Sequence, residues 1–263
     1  MTQNALEGVH PQAIVEPGAS LGKDVTVGPW SYIGAGVEVG DGTEIMSHVV
    51  IKGPTRIGRN NRIFQFSSVG EECQDKKYAG EPTTLVIGDD NVIREGCTIH
   101  RGTVQDRGET RIGNANLLMA YVHVAHDCTV GNNTILANNA TLAGHVEVGD
   151  WAVLGGGTMV HQFCNIGPHS MSAGGSIVLK DIPAYVMASG QSASAFGLNA
   201  EGLRRRGFSP EAITTLRRAY KVLYRQALTL KQAIDAIREE YGDSPEIKVL
   251  LETLERTKRG IVR

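Results

Sequence analysis

A rhythm of six residues limits what this chain can fold into more than any other feature. Written in sixes, residues 21–44 read "LGKDVT / VGPWSY / IGAGVE / VGDGTE". The first slot holds Val9, Val15, Leu21, Val27, Ile33, Val39, Ile45, Ile51, Ile57, Ile63 and Val69 without a break. After a polar interruption it resumes in phase at Ile87, Ile93 and Ile99, and a second interruption, "QDRGETR" (105–111), shifts it by one. It then runs from Ile112 through Leu118, Val124, Val130, Leu136, Leu142, Val148, Leu154, Val160 and Ile166, lapses at Ser172 and returns at Val178. Slot two is often glycine, and slot five is small or β-branched.

Such a period suits neither a helix, at 3.6 residues per turn, nor a long strand, at 2. It suits a solenoid whose short strands turn a corner every six residues, with slots one and five facing inward. Glycine, asparagine and aspartate near the corners relieve unusual backbone angles. Three sides make an 18-residue coil, so residues i and i+18 stack about 4.8 Å apart. The length predicts nine or ten coils. The period leaves the hand open, right-handed crossovers being the general rule.

The rhythm ends near Ser192. "SPEAITTLRRAYKVLYRQ" offers Ser209 as a cap and Pro210 at the first helical position. "TLKQAIDAIREEY" from Thr229 and "SPEIKVLLETLERTKRG" from Ser244 repeat that grammar. The expected organisation is therefore an all-β solenoid over residues 1–191 and an α-helical domain over 192–263 that caps one end of the solenoid against edge pairing.

Composition narrows the function. With a formal charge of −2, neither nucleic acid nor a membrane surface is favoured as a bulk electrostatic partner. The start, "MTQNALEGVHPQ", lacks a secretory pattern and no later stretch approaches a membrane span, which gives a cytoplasmic expectation. Cys73, Cys97, Cys128 and Cys164 form no C-x-x-C pair. Cys97, Cys128 and Cys164 fall in slot five and read as core fillers.

All eight histidines avoid slots one and five, which argues against ordinary core histidines. His126, Gly144 and Gln162 share one column at 18-residue steps, with His145 beside it on one side and His161 on the other. His123 stands three residues before His126, in "AYVHVAHDCTV". A histidine ridge on a prism face is half a pocket. Three prisms around a threefold axis would supply the second wall.

Six stretches carry a resemblance over essentially the whole chain: "QDKKYAGEPT" (74–83), "IHRGTVQ" (99–105), "AHDCTVGN" (125–132), "ANNATLAGHV" (137–146), "HQFCNIG" (161–167) and "FGLNAEGLRRRGFS" (196–209). Together they resemble the acyl-carrier-protein–UDP-N-acetylglucosamine O-acyltransferases that begin lipid A synthesis, a family of trimeric left-handed β-helices. The resemblance implies transfer of a 3-hydroxyacyl group from the phosphopantetheine thioester of acyl-carrier protein to the glucosamine 3-hydroxyl of UDP-N-acetylglucosamine. It implies a homotrimer and no metal or redox cofactor.

Matched to the family, His126 is the general base, and histidine's unperturbed pKa suits that task. Asp127 is then its orienting carboxylate, or else only a corner residue. The Gly144 backbone N–H is the expected oxyanion donor. Asp75 and Lys77, in the first interrupting loop, are expected to reach the sugar and phosphates from the neighbouring subunit. His123, His145, His161 and Gln162 match positions around the sugar and diphosphate. Asn199, Glu201 and Arg205 match nucleotide-binding positions in the tail, and a guanidinium fork suits phosphate well. Arg204 and Arg206 are free to attract the acidic carrier protein. Met171 and Gly174 match the ruler that blocks the end of the acyl groove. With glycine at the second position, a long donor of about fourteen carbons is expected, because each buried methylene gains about 0.8 kcal/mol until the groove closes.

Three other readings stay open at this stage. A zinc enzyme like the γ-carbonic anhydrases shares the fold, although the H-x4-H spacing of that family is missing around His126. An acetyl-coenzyme A-dependent hexapeptide acetyltransferase and a non-catalytic scaffold are the others.

Overall fold

The computed structural model describes residues 8–263. Residues 1–7, where the expected first domain and the leaderless reading of the N-terminus begin, lie outside them. Strands of two to five residues are distributed in rotation among three sheets, so that three consecutive strands complete one coil. The first sheet has nine strands from Ile14–Val15 to Ile177–Val178, and the second has eight from Ser20–Leu21 to Asn165–Ile166. The third has ten, from Thr26–Val27 to Ser194–Leu198. Every pairing is parallel except the last, where Val186–Ser189 meets Ser194–Leu198 antiparallel.

Register explains the phase of the hexads. Ile33 pairs with Val15 and Val124 with Leu142, both 18 residues apart. Across the first loop the offset is 30, as in Ser68 with Thr98. Across the second it is 25, as in Thr98 with His123. The first loop thus adds twelve residues, two whole hexads, and leaves the phase unchanged. The second adds seven and slips it by one.

Slot-one residues fill the interior: Ile33, Ile51, Ile63, Ile93, Leu118, Leu136 and Leu154 are fully buried. Ser172, the lapse in slot one, is buried too, and its hydroxyl shares a 2.8 Å hydrogen bond with that of Thr158. All four cysteines are free and buried, which is what was expected of Cys97, Cys128 and Cys164 as core fillers. Burial pushes the Cys128 thiol up to about 12 and those of Cys97 and Cys164 to about 11. Slot five also holds buried amides that the small-or-β-branched rule did not anticipate. Asn91 donates to the side-chain oxygen of Asn61 at 3.0 Å and its own oxygen accepts the Asn116 N–H at 2.9 Å, so the stacked amides satisfy one another.

The corners use left-handed backbone angles. Asn and Asp occupy several of them, but so do Trp30, Phe66, Tyr121, Trp151 and Phe163, with φ between 58° and 64°. Each such residue costs of order 1–2 kcal/mol in isolation, and the repeated backbone ladder on either side holds it there.

Four helices close the chain: α1 (Ala200–Arg205), α2 (Pro210–Arg225), α3 (Leu230–Tyr241) and α4 (Pro245–Glu255). Ser209 caps α2 through the Ala212 N–H, and Thr229 forms a capping box with Gln232. Ser244 precedes α4 without a side-chain cap bond. The short helix α1 had no counterpart in the sequence reading. The boundary expected between residues 191 and 192 falls inside the antiparallel hairpin, because strand pairing continues to Leu198. The expected cap is present: the tail returns to the solenoid, where Val262 donates to the Asp181 carbonyl at 2.9 Å and Asp181 to that of Gly260 at 3.0 Å. Among the described residues, no helix is long and apolar enough to cross a membrane.

Candidate active site

The histidine ridge runs along the corner between the first and second sheets. Asp127 and His145 both sit there with positive φ, 58° and 63°, one coil apart. At such a corner the chain turns sharply, which brings the adjacent side chains of His126 and Asp127 together: His126 Nδ1 lies 2.8 Å from Asp127 Oδ2. Asp127 is fully buried, and its carboxylate also accepts the Thr103 N–H at 3.0 Å and the Thr103 hydroxyl at 2.6 Å. Burial alone would raise its pKa, yet the hydrogen bonds from His126 and Thr103 prevail and hold it below the ordinary value. An ionised carboxylate only accepts. Nδ1 of His126 therefore carries the proton, and Nε2 of the neutral ring carries the lone pair. Asp127 is thus a corner residue and an orienting carboxylate at once.

Gly144 lies under that ring. A Cβ built on it would stand 2.6 Å from Nε2 and Cε1 of His126, so only glycine lets the imidazole lie flat here. Among the described residues its N–H donates to no protein acceptor, while its carbonyl accepts the Phe163 N–H at 3.2 Å. His145 stands edge-on to His126 with ring centroids 5.0 Å apart, and Phe163 stacks on it at 4.3 Å.

A cavity of about 920 Å³ opens over this corner, lined by His126, His145, Gln162, Asp75 and Lys77 among others. Asp75 and Lys77 were expected from a neighbouring subunit. The structure instead brings them onto the same chain's cavity. The reason is the buried Arg101, one coil before His126, which donates to the Gly53 carbonyl and to the Tyr78 hydroxyl at 3.2 Å and folds the loop back along its own ridge.

His123 lies to the other side, half-buried on the first sheet, with Nδ1 2.7 Å from the Thr98 hydroxyl and its ring edge-on to His100 at 5.1 Å. Burial, then the neighbouring His126, lowers its pKa. His161 is exposed beside Gln162, its Nδ1 3.1 Å from the Gln162 carbonyl. Neither lines the cavity.

The end of the tail, Glu255 to Lys258, also lines the cavity, but Asn199, Glu201 and Arg205 lie elsewhere within one chain. Asn199 caps α1 and donates to the His169 carbonyl at 2.9 Å, which puts it by the corner column of Trp151 and His169. Glu201 pairs with Arg204 and, at 3.1 Å, with Arg205. Arg206 stacks over Trp151, 5.4 Å from its ring centre. Met171 is on the third sheet, paired with Val153 and Met187, and Gly174 is at the corner that follows. None of Asn199, Glu201, Arg205, Met171 and Gly174 lines the His126 cavity. The sequence reading missed Thr103, Asp106 and Arg107, all from the loop whose seven extra residues show only as a phase slip.

His126, Asp127 and His145 bring possible metal-ligand atoms within 4.8 Å of one another. Their hydrogen bonds already occupy both Nδ1 atoms and the Asp127 carboxylate, which leaves two Nε2 atoms and no closed ligand set for zinc.

A solenoid of hexads with a carboxylate-backed imidazole at one corner defines the hexapeptide-repeat acyltransferases as the class. The family described as bacterial transferase hexapeptide (six repeats) matches residues 109–144, and domain 2 of UDP-N-acetylglucosamine O-acyltransferase matches 181–262. Relatives bearing the name acyl-[acyl-carrier-protein]–UDP-N-acetylglucosamine O-acyltransferase include those of Stutzerimonas stutzeri, 58% identical, and Thiobacillus denitrificans, 60% identical, each over 97% of this chain and 99% of the relative. The solved structure of LpxA from Acinetobacter baumannii superposes with a TM-score of 0.96 at 54% identity, over 98% of this chain and 100% of that one. The chain belongs to the acyl-[acyl-carrier-protein]–UDP-N-acetylglucosamine O-acyltransferase family, and the solenoid is the family's left-handed parallel β-helix.

Proposed function

We propose that this protein transfers a 3-hydroxyacyl chain from acyl-carrier protein to the glucosamine 3-hydroxyl of UDP-N-acetylglucosamine, the first step of lipid A synthesis. The observation that carries the reading is the His126–Asp127 pair over Gly144, in a chain near 60% identical to relatives named for this activity. Nε2 of His126 takes the proton of the sugar hydroxyl as its oxygen attacks the thioester carbon. Asp127, ionised behind the ring, stabilises the imidazolium that forms. The Gly144 N–H, which meets no acceptor among the described residues, donates to the oxyanion of the tetrahedral intermediate. Collapse breaks the carbon–sulfur bond, and the departing phosphopantetheine sulfur takes the proton from His126. The proton count closes without a metal or redox cofactor.

Asp75, Lys77, His145 and Gln162 line the pocket that takes the sugar and diphosphate, with His123 and His161 flanking it. Asn199, Glu201 and Arg205 meet that pocket only from another copy, as do Met171 and Gly174 at the end of the acyl groove. This separation supports a homotrimer with clefts between subunits. The test is transfer from a panel of acyl-carrier proteins to UDP-N-acetylglucosamine. Transfer from acetyl-coenzyme A in preference, or one tightly held zinc per chain in purified protein, would overturn the reading.

A further inference from the structure

Between the strands Thr98–His100 and Glu109–Ile112 the chain spends seven extra residues to leave the solenoid and return. The tip of this loop carries Asp106, and Oδ2 of Asp106 lies 2.8 Å from Nδ1 of His145. We propose that Asp106 is a positioning residue for His145, so that the site contains two acid–imidazole pairs rather than one. The proposal rests on the acyltransferase reading and adds a part to it.

Four observations converge on this. His145 is held on three sides: its backbone N–H donates to the His126 carbonyl at 3.0 Å, Phe163 stacks on one face at 7° between planes, and Asp106 meets Nδ1. The rival carboxylate, Asp127, stands 4.0 Å from the same nitrogen, beyond hydrogen-bond range. The loop itself is fastened on both sides of Asp106. Thr103 binds Asp127, and Arg107 donates to the Thr129 hydroxyl at 2.8 Å and to Glu147, which also accepts Arg256 at 2.9 Å. Asp106, His145 and His126 all line one cavity.

The consequence is a fixed tautomer. With Nδ1–H given to Asp106, the Nε2 of His145 is left for a ligand, as the Nε2 of His126 is left for the hydroxyl proton. The two rings stand perpendicular to each other.

Two measurements test the pair. In a double-mutant cycle on kcat/KM, Asp106→Ala should lower activity about tenfold, the modest end for a carboxylate behind an imidazole because Asp106 is partly solvated. Adding Asp106→Ala to His145→Ala should then cost nothing further. Multiplying losses, or an Asp106→Ala enzyme with unchanged kcat/KM, would overturn the proposal. In protein labelled with ¹⁵N on histidine, His145 should show the Nδ1-protonated neutral tautomer and lose it in Asp106→Ala. Retention of that tautomer without Asp106 would also sink the idea. The spectrum needs no turnover, so an inactive parent enzyme would count against the acyltransferase reading and leave the pair still tested.

Discussion

At the scale of the residue, the site depends on what cannot be placed at Gly144 and on what stands behind His126. Because the His126 ring projects into a cavity and fills no hydrophobic core, His126→Ala should cut turnover about 10² to 10⁴-fold, the general-base contribution. Nucleotide binding, followed by calorimetry, and the melting temperature should change little. Near-normal turnover would move the base to His123 or His145. Two other histidines make stability depend on pH. Burial, then His123, lowers the pKa of His100 to about 4, and burial, then Arg206, does the same for His169. Both fall below the unfolded value of about 6.5, so the unfolded chain takes up these protons first. Their contribution is whole above about pH 6.5 and is lost as pH falls towards about 4. The urea midpoint should therefore drop between pH 7 and pH 5, where carboxylates still change little. His169→Gln should weaken that pH dependence even though it loses stacking on Trp151 and Tyr185.

Elements show which parts of this were readable in advance. Slot one recurs because nearly every strand turns one apolar residue inward, and the second insertion shows itself as a slip of phase. The Asn61–Asn91–Asn116 ladder did not, since an amide reads as surface until its stacked partners are known. Helix α1 escaped because six residues with Gly202 among them carry no helical period. The direction of the Asp75 loop was hidden too, for it depends on Arg101 reaching Tyr78 and Gly53 across the fold. His126, Asp127 and Gly144 were placed correctly relative to one another because the 18-residue step is rigid. The same rigidity lets Gly174 be tested as a ruler. Its φ lies outside the left-handed range, and an added Cβ would meet the Gly156 carbonyl oxygen at 3.3 Å, so that carbonyl must give by a few tenths of an ångström. Gly174→Met should therefore fold, plug the groove and move preference from donors of about fourteen carbons to about ten, since burying one methylene too many costs about 1–3 kcal/mol. A competition assay with mixed donors reads the ratio. If the variant still prefers the long chain, the glycine serves the corner alone.

For the whole molecule, the separation of Asn199, Glu201 and Arg205 from the ridge decides the assembly. Mixing His126→Ala chains with Arg205→Ala chains should restore activity in about a quarter of the clefts of a randomly mixed closed ring, where both walls are intact. Mixing His126→Ala with Asp75→Ala should restore none, because those residues share one chain's cavity. Recovery by the second pair and none by the first would reverse the arrangement. The 18-residue register has one more consequence, in time rather than space. Most strand pairs close a loop of only 18 residues in a chain of 263, a relative separation of about 0.07 that is ordinary for helical bundles and low for a β protein. Each coil formed offers its edge to the next, so folding can start at any coil and spread to both ends. Refolding followed by stopped flow should show a fast phase independent of protein concentration, in which the solenoid winds, and a later one that scales with concentration, in which subunits meet. A single concentration-dependent phase would mean that the prism does not wind alone.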